Sequence, residues 1–309
     1  MYDIIILGSG PAGLTAALYA ARAGKRTLVL GGDQLGGQMA TIHSLENYPG
    51  TPGVHGLALA NTMKDQATSF GAEFVFASAK TISNEQLAMS NYKIVADDGK
   101  EYSAKTVIIA TGAKPRRLDV KGIRDFTGRG VSYCATCDGF FYSGKTVVVI
   151  GGGNSALNDA LYLADLSEHV KILYRKNGFS RGEQILVDRV NANEKISVMF
   201  DTEIVEVGGD PSPDGAAAGD SGVTHVVTNA GEKIMCAGVF VAIGHEANTD
   251  YISESIKRDD MGRLAPADLP MGMYVCGDVQ SGLKMQVATA VGAGCDAAMD
   301  CISYINSKS

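Results

Sequence analysis

The chain has 309 residues, 45% of them hydrophobic and 20% charged, which is enough for two domains with packed cores. Its net charge of −7 argues against a nucleic-acid binder, which would carry a basic stripe. No apolar run reaches the roughly 18 residues of a membrane-spanning helix, so the expected setting is the cytoplasm, with neither membrane nor nucleic acid as partner.

In chain order, "MYDIIILGSG" lacks the basic start and small-residue cleavage pattern of a signal peptide and reads as a buried first strand. It runs into Gly8-x-Gly10-x-x-Gly13, with Ser9, Pro11 and Ala12 between the glycines. A helix is predicted over "LTAALYAARAG", ending at Gly24, and "RTLVL" follows as a second strand. Glycines in such a turn let the backbone approach a pyrophosphate held by the helix N-terminal amides. The second strand ends in Gly31 and Gly32 where an acid usually binds ribose, leaving Asp33 as the nearest carboxylate. Residues 105–117, "KTVIIATGAKPRR", read as a strand ending in Ala110, Thr111 and Gly112 before a proline-containing exit.

Residues 131–141 read "VSYCATCDGFF". After residue 144 the earlier grammar returns as "KTVVVI", "GGGNSA", "LNDALYLADL" and "VKILY". This gives Gly151-x-Gly153-x-x-Ala156, with Asn154 and Ser155 inside the turn. Two glycine motifs, each between a strand and a helix, are far more specific than one. Next, "ISVMFDTEIVEV" and "VTHVVTNAGEKIMCAGVFVAIG" read as successive strands, separated by a flexible hairpin loop at 208–222. The chain returns through "MYVCGDVQSG" to a terminal helix beginning near Met285. If Gly277 and Asp278 complete the first nucleotide site, the fold is α/β, with two Rossmann-like dinucleotide-binding domains and the second inserted into the first. The boundaries are then 1–113 with 247–309, and 114–246.

The second turn is followed by "KILYRKNGFSR", which offers Arg175, Lys176 and Arg181 and no acid. Cations at a strand tip suit a 2′-phosphate, against the plain reading of a solvated basic turn. Cys134 and Cys137 allow a zinc site, a structural staple or a redox pair. Zinc needs two further ligands, yet Cys236, Cys276, Cys295 and Cys301 are scattered and the five histidines form no closely spaced pair, so no metal is expected. Those four cysteines read as small buried hydrophobes. Structural disulfides are rare in the cytoplasm, whereas CxxC thiols tend to have depressed pKa values. Asp138 reads either as a helix N-cap or first-turn acid or as a general acid that protonates a leaving thiolate.

Taken together, the glycine turn at 8–13, "GGQM" at 36–39, "ENYPG" at 46–50, "ATG" at 110–112, "CATCDGFF" at 134–141, "GGGNSA" at 151–156, "VAIGHEANT" at 241–249 and "GD" at 277–278 closely resemble the low-molecular-weight thioredoxin reductase family. The resemblance covers nearly the whole chain. It implies a homodimeric flavoprotein with an FAD domain and an inserted NADPH domain. It further implies that Gly8 and Ser9 to Gly13 cradle the FAD pyrophosphate, with Gln38, Asn47, Thr111 and Gly112 in the same site. Gly277 and Asp278 would meet the ribityl chain, and Gln286 with Val287 the isoalloxazine. Independently of the family, a helix starting near Met285 would offer its positive end to reduced, anionic flavin.

By the same resemblance, Gly151, Gly153, Asn154 and Ser155 with Arg175, Lys176 and Arg181 hold NADPH. Cys137 faces the flavin, Cys134 attacks thioredoxin, and Asp138 moves the proton. The inserted domain rotates about hinges near 112–116 and 244–248. Phe140, Phe141 and Arg129 dock the protein substrate, against plain readings of ordinary packing and a solvated cation. One departure stands out. The family's His-Arg-Arg-x₃-Arg becomes Tyr174, Arg175, Lys176 and Ser180, with Arg181 one place late. Lysine lacks the planar fork that grips phosphate, which keeps NADH, ferredoxin and a deazaflavin open as donors beside NADPH. A dithiol oxidase on the same scaffold and an FAD-binding redox sensor are the competing functions.

Overall fold

A computed structural model describes residues 1–84, 91–209 and 222–308, so residues 210–221 of the expected hairpin loop lie outside the described residues. The chain divides into two units, Met1–Lys114 with Glu246–Ser309, and Pro115–His245. In the first, β1 (Tyr2–Leu7) leads into α1 (Pro11–Arg22) and β2 (Thr27–Leu30). Gly24, at φ +70°, closes α1 in the left-handed conformation that glycine adopts without strain. The unit continues through α2 (Gly56–Ser69), β3 (Glu73–Val75), β4 (Ala79–Asn84), β5 (Tyr92–Ala96) and β6 (Glu101–Ile109), and β7 (Ala113–Pro115) leads out of it.

The second unit begins with α3 (Ile123–Phe126), β8 (Val131–Ser132), α4 (Ala135–Asp138), β9 (Thr146–Ile150) and α5 (Asn154–Leu166). It continues through β10 (His169–Leu173), α6 (Gln184–Ala192), β11 (Ile196–Met199), β12 (Ile204–Gly209), β13 (Val223–Thr228), β14 (Lys233–Met235) and β15 (Gly238–Val241). The chain re-enters the first unit through β16 (His245–Ala247) and completes it with β17 (Met273–Val275) and α7 (Val287–Lys308).

The sheet of the first unit is ordered β3-β2-β1-β6-β5-β4, with β17 also paired to β6. Its β3, β2, β1, β6 and β17 run parallel. Side chains of a strand alternate between faces, so Ile4 and Ile6 pack towards α1 and α7 while Ile5 and Leu7 enter the opposite core. Both faces are covered, which explains the unbroken apolar run. α7 crosses α1 closely enough that a Cβ on Gly294 would strike the backbone of Ala12. The terminal helix begins at Val287, close to Met285 as expected, and the Gln286 carbonyl just before it accepts the Ala290 amide at 3.0 Å.

In the second unit the parallel order is β11-β10-β9-β15-β8. Val147 and Val149 of β9 pack with Ala156, Leu157, Ala160 and Leu163 of α5. Val148 and Ile150 point the other way, into a core shared with the antiparallel β12-β13-β14 sheet. Strand order reverses direction between β9 and β15, the place where open α/β sheets leave a ligand crevice.

Candidate active site

The glycines of the first turn have different physical reasons. Gly8 has φ +108°, and a Cβ there would collide with the Ala110 carbonyl oxygen; a Cβ at Gly13 would collide with the carbonyl of Gly8. Gly10 has no such constraint, its nearest neighbour being Gly36 O at 4.0 Å. Packing therefore demands the outer two glycines, and the middle one keeps space open in front of α1. That helix starts on Pro11, which has no amide to satisfy, and no side chain caps its first turn. The amides of Ala12 and Gly13 are left to meet an anion.

Ser9 is 2% exposed, and its hydroxyl donates to Gly31 O at 2.7 Å and to Gln34 O at 3.3 Å. A Cβ on Gly31 would lie 3.2 Å from that hydroxyl, a packing reason for glycine where an acid is usual. Asp33 is exposed. Asn47 Nδ2 donates to Gln286 Oε1 at 3.0 Å, so residues far apart in sequence meet at the start of α7. Val287 packs beside Leu14, Met39 and Leu45. Gln38 Nε2 donates to Ala113 O at 2.8 Å. Thr111 has its hydroxyl engaged by Asn248 O at 2.8 Å and Tyr251 Oη at 2.9 Å, and Gly112 O accepts the Asn248 amide at 3.0 Å.

Gly277, at φ +76°, seats its turn on the first turn of α1: a Cβ there would be 2.8 Å from Ala12 Cβ. Among the described residues, no side chain or amide pairs with the carboxyl group of the next residue, Asp278. Burial pushes that carboxyl up to about 6. A recessed acid with no internal partner beside uncapped helix amides fits a dinucleotide that brings both phosphates and hydroxyl donors.

The second turn repeats the pattern. Gly151 has φ +139° and its Cβ would collide with the Ala242 carbonyl, whereas a Cβ on Gly153 would meet nothing within 4 Å. α5 likewise begins without a side-chain cap. Gly152 lies against the ring of Tyr174, which stacks on Phe179 at 6.0 Å and 16°; Phe179 meets Phe200 edge-on at 5.0 Å. A β-bridge joins Gly153 to Arg181 and returns the basic strand tip to the glycine turn. Asn154 strengthens this return, donating to Glu183 Oε1 at 2.8 Å and accepting the Glu183 amide at 2.7 Å. Its side chain is thus committed to the fold, and Glu183 is a residue that sequence reasoning missed. Arg175, Lys176, Arg181 and Ser155 are exposed.

Cys134 and Cys137 are joined as a disulfide. Cys134 stands at the N-cap of α4, where its sulfur accepts the Cys137 amide at 3.2 Å. Ser132 is 5% exposed and fixes the entry by accepting the Cys134 amide at 3.0 Å. Cys137 is exposed and Cys134 half-buried. Asp138 is a first-turn acid of α4 and stands at the N-cap position of the turn that follows, where its carboxylate makes no capping hydrogen bond. Burial, and then the Asp138 charge, raise the Tyr142 phenol. Ordinary packing does not describe Phe140, which is 73% exposed; Phe141 is 39% exposed. A Cβ on Gly139 would lie 3.0 Å from Leu163 Cδ2, so the backbone there is pressed onto α5. Arg129 is held by Asp125 O at 2.7 Å, not merely solvated. Burial pushes the thiols of Cys236, Cys276 and Cys301 up to about 12, keeping them protonated and unreactive.

A family model described as Pyridine nucleotide-disulphide oxidoreductase matches residues 2–294. Thioredoxin reductase of Rickettsia felis is 38% identical over 309 residues, covering 98% of each chain. A Pseudomonas fluorescens protein named glucosaminate ammonia-lyase is 39% identical, over 98% of this chain and 95% of that one. The crystal structure of Lactococcus lactis thioredoxin reductase in its FR conformation superposes with a TM-score of 0.91 at 34% identity, covering 99% of this chain and 100% of that one. The chain belongs to the pyridine nucleotide-disulphide oxidoreductase family and, within it, to the low-molecular-weight thioredoxin reductases.

Proposed function

We propose that the protein is a thioredoxin-disulfide reductase, passing electrons from NADPH through FAD and the Cys134–Cys137 pair to thioredoxin. The observation that carries this reading is a closed CxxC disulfide at a helix start, with one of its two cysteines exposed and an exposed phenylalanine nearby. Elimination of ammonia, the reaction named for the P. fluorescens relative, needs no reducible pair, so the disulfide favours the reductase.

FAD would be held by the Ala12 and Gly13 amides, Asp278, and the side chains about Asn47 and Gln286 in the discontinuous unit. NADPH would sit at the Gly151–Gly153 turn of the inserted unit. NADPH is the favoured donor because Arg175, Lys176 and Arg181 share one segment tethered to the glycine turn, and residues 171–181 contain no acid. FAD supplies the relay between a two-electron hydride donor and a disulfide. Asp138 holds the one proton that the pair takes up as it opens, leaving Cys134 as the thiolate. Cys134 then attacks the thioredoxin disulfide, and Cys137 resolves the mixed disulfide. The active form would be a cytoplasmic homodimer. Among the described residues, no helix is long and apolar enough to cross a membrane.

Anaerobic titration tests the donor. NADPH bleaches the flavin absorbance stoichiometrically, at lower concentration than NADH. If neither nicotinamide bleaches it while the enzyme still turns over with reduced ferredoxin or a deazaflavin, the NADPH assignment falls.

A further inference from the structure

The two sulfurs of the pair are solvated unequally by the chain. Cys134 Sγ receives the Cys137 amide at 3.2 Å and lies 3.5 Å from Thr136 Oγ1. A disulfide sulfur carries no proton, so the hydroxyl is the donor, and sulfur's large radius makes this a contact distance. Its backbone is clamped by Ser132, whose hydroxyl accepts the Cys134 amide at 3.0 Å and donates to Cys134 O at 3.2 Å. Cys137 is exposed, and among the described residues no hydrogen bond reaches its sulfur. Hydrogen bonds to a charged acceptor are stronger than those to a neutral one.

We propose that Thr136 is a positioning residue whose hydroxyl, with the Cys137 amide, localises the negative charge of the reduced pair on Cys134. This rests on the reductase reading and names how the attacking sulfur is chosen. Two electrons reduce Cys134–Cys137 to one thiolate and one thiol, with uptake of one proton. The Cys134 thiolate forms a bond to one thioredoxin sulfur and breaks the thioredoxin disulfide; the leaving thiolate takes up a proton. Cys137, deprotonated in turn, attacks Cys134 Sγ. This re-forms the Cys134–Cys137 disulfide and releases the second thioredoxin thiolate, so two electrons have passed to thioredoxin.

Among the described residues, titratable groups on the pair's own segment and the elements packed with it include Tyr133 before it, Asp138 on the same helix, Tyr142 in the next turn, and Asp159 and Tyr162 on α5, which packs against α4. An ionised carboxylate among them opposes a charge at either sulfur, and all of these residues are present in every protein compared.

The test uses the full-length flavin-loaded protein carrying Cys137→Ser, which leaves Cys134 as a free thiol with the position 137 amide intact. The rate of iodoacetamide alkylation at the Cys134 peptide is followed by mass spectrometry against pH. Adding Thr136→Val or Thr136→Ala moves the midpoint up by about one pH unit, and Thr136→Ser restores it. Midpoints for Val and Ala that coincide with the Thr136 protein overturn the proposal. Thioredoxin turnover is measured separately on proteins retaining both cysteines. Its absence in the wild-type protein would count against the reductase reading, while the alkylation midpoints still decide the role of Thr136.

Discussion

Asp278 and Asp138 show how the same side chain takes different chemistry from its surroundings. Asp278 is recessed, its carboxyl pushed up to about 6 by burial alone. The unfolded chain ionises this residue near 4, the folded chain near 6, so ionisation favours unfolding between those values. The flavin-stripped protein therefore loses stability as pH rises from about 4 to about 6 and stays at the lower level above that. Asp278→Asn removes this slope and stabilises the stripped protein at pH 7 by up to about 3 kcal/mol, while weakening flavin retention; melting curves from pH 4 to 7 and bound-flavin absorbance report the two effects. Asp138 lies in the first turn of α4 and its carboxylate makes no capping hydrogen bond; in the proposed mechanism it carries the proton. Asp138→Asn should lower thioredoxin turnover about 10²-fold with the rate of flavin reduction by the donor unchanged, as stopped-flow absorbance would show.

At the level of elements, the two glycine turns were legible because strand, glycine and helix follow one another within a few residues and each constraint is local. The strands β1, β2, β9 and β10 and the helices α1 and α5 lie where the apolar runs and glycines called for them. What the pattern hid depends on partners distant in sequence. Ser9 serves the exit of β2, Tyr174 fills the space over Gly152, and Asn154 clasps Glu183. The end of β10 gave no hint that its tyrosine would face a glycine, because that pairing is made by the fold. The glycines also separate by role in a way that substitution can measure. Gly153→Ala meets no atom within 4 Å, so it should leave the melting temperature within a degree or two and raise the NADPH KM about tenfold or more. Gly151→Ala must clear the Ala242 carbonyl from a left-handed backbone. It should destabilise the protein by at least about 2 kcal/mol, read by denaturant unfolding.

At the level of the whole molecule, the order of motifs pointed to one dinucleotide-type domain inserted into another, and the chain divides into a discontinuous and a continuous unit. The donor was less legible, since the proposed phosphate recognition would rest on where three exposed cations lie, and only the fold brings Arg181 back beside Gly153. If those cations grip a 2′-phosphate, Arg175→Ala should raise the NADPH KM about tenfold and leave the NADH KM nearly unchanged, in steady-state assays with both nucleotides.

The claim on which the rest depends is that electrons leave through Cys134 and Cys137. It is tested most directly by following NADPH-driven thioredoxin reduction and flavin reduction together in the wild-type protein and in Cys134→Ser and Cys137→Ser. The account predicts a reducible flavin in all three proteins and thioredoxin turnover only in the first, falling about 10³-fold or more in each variant. Thioredoxin turnover at the wild-type rate in either serine variant would contradict it.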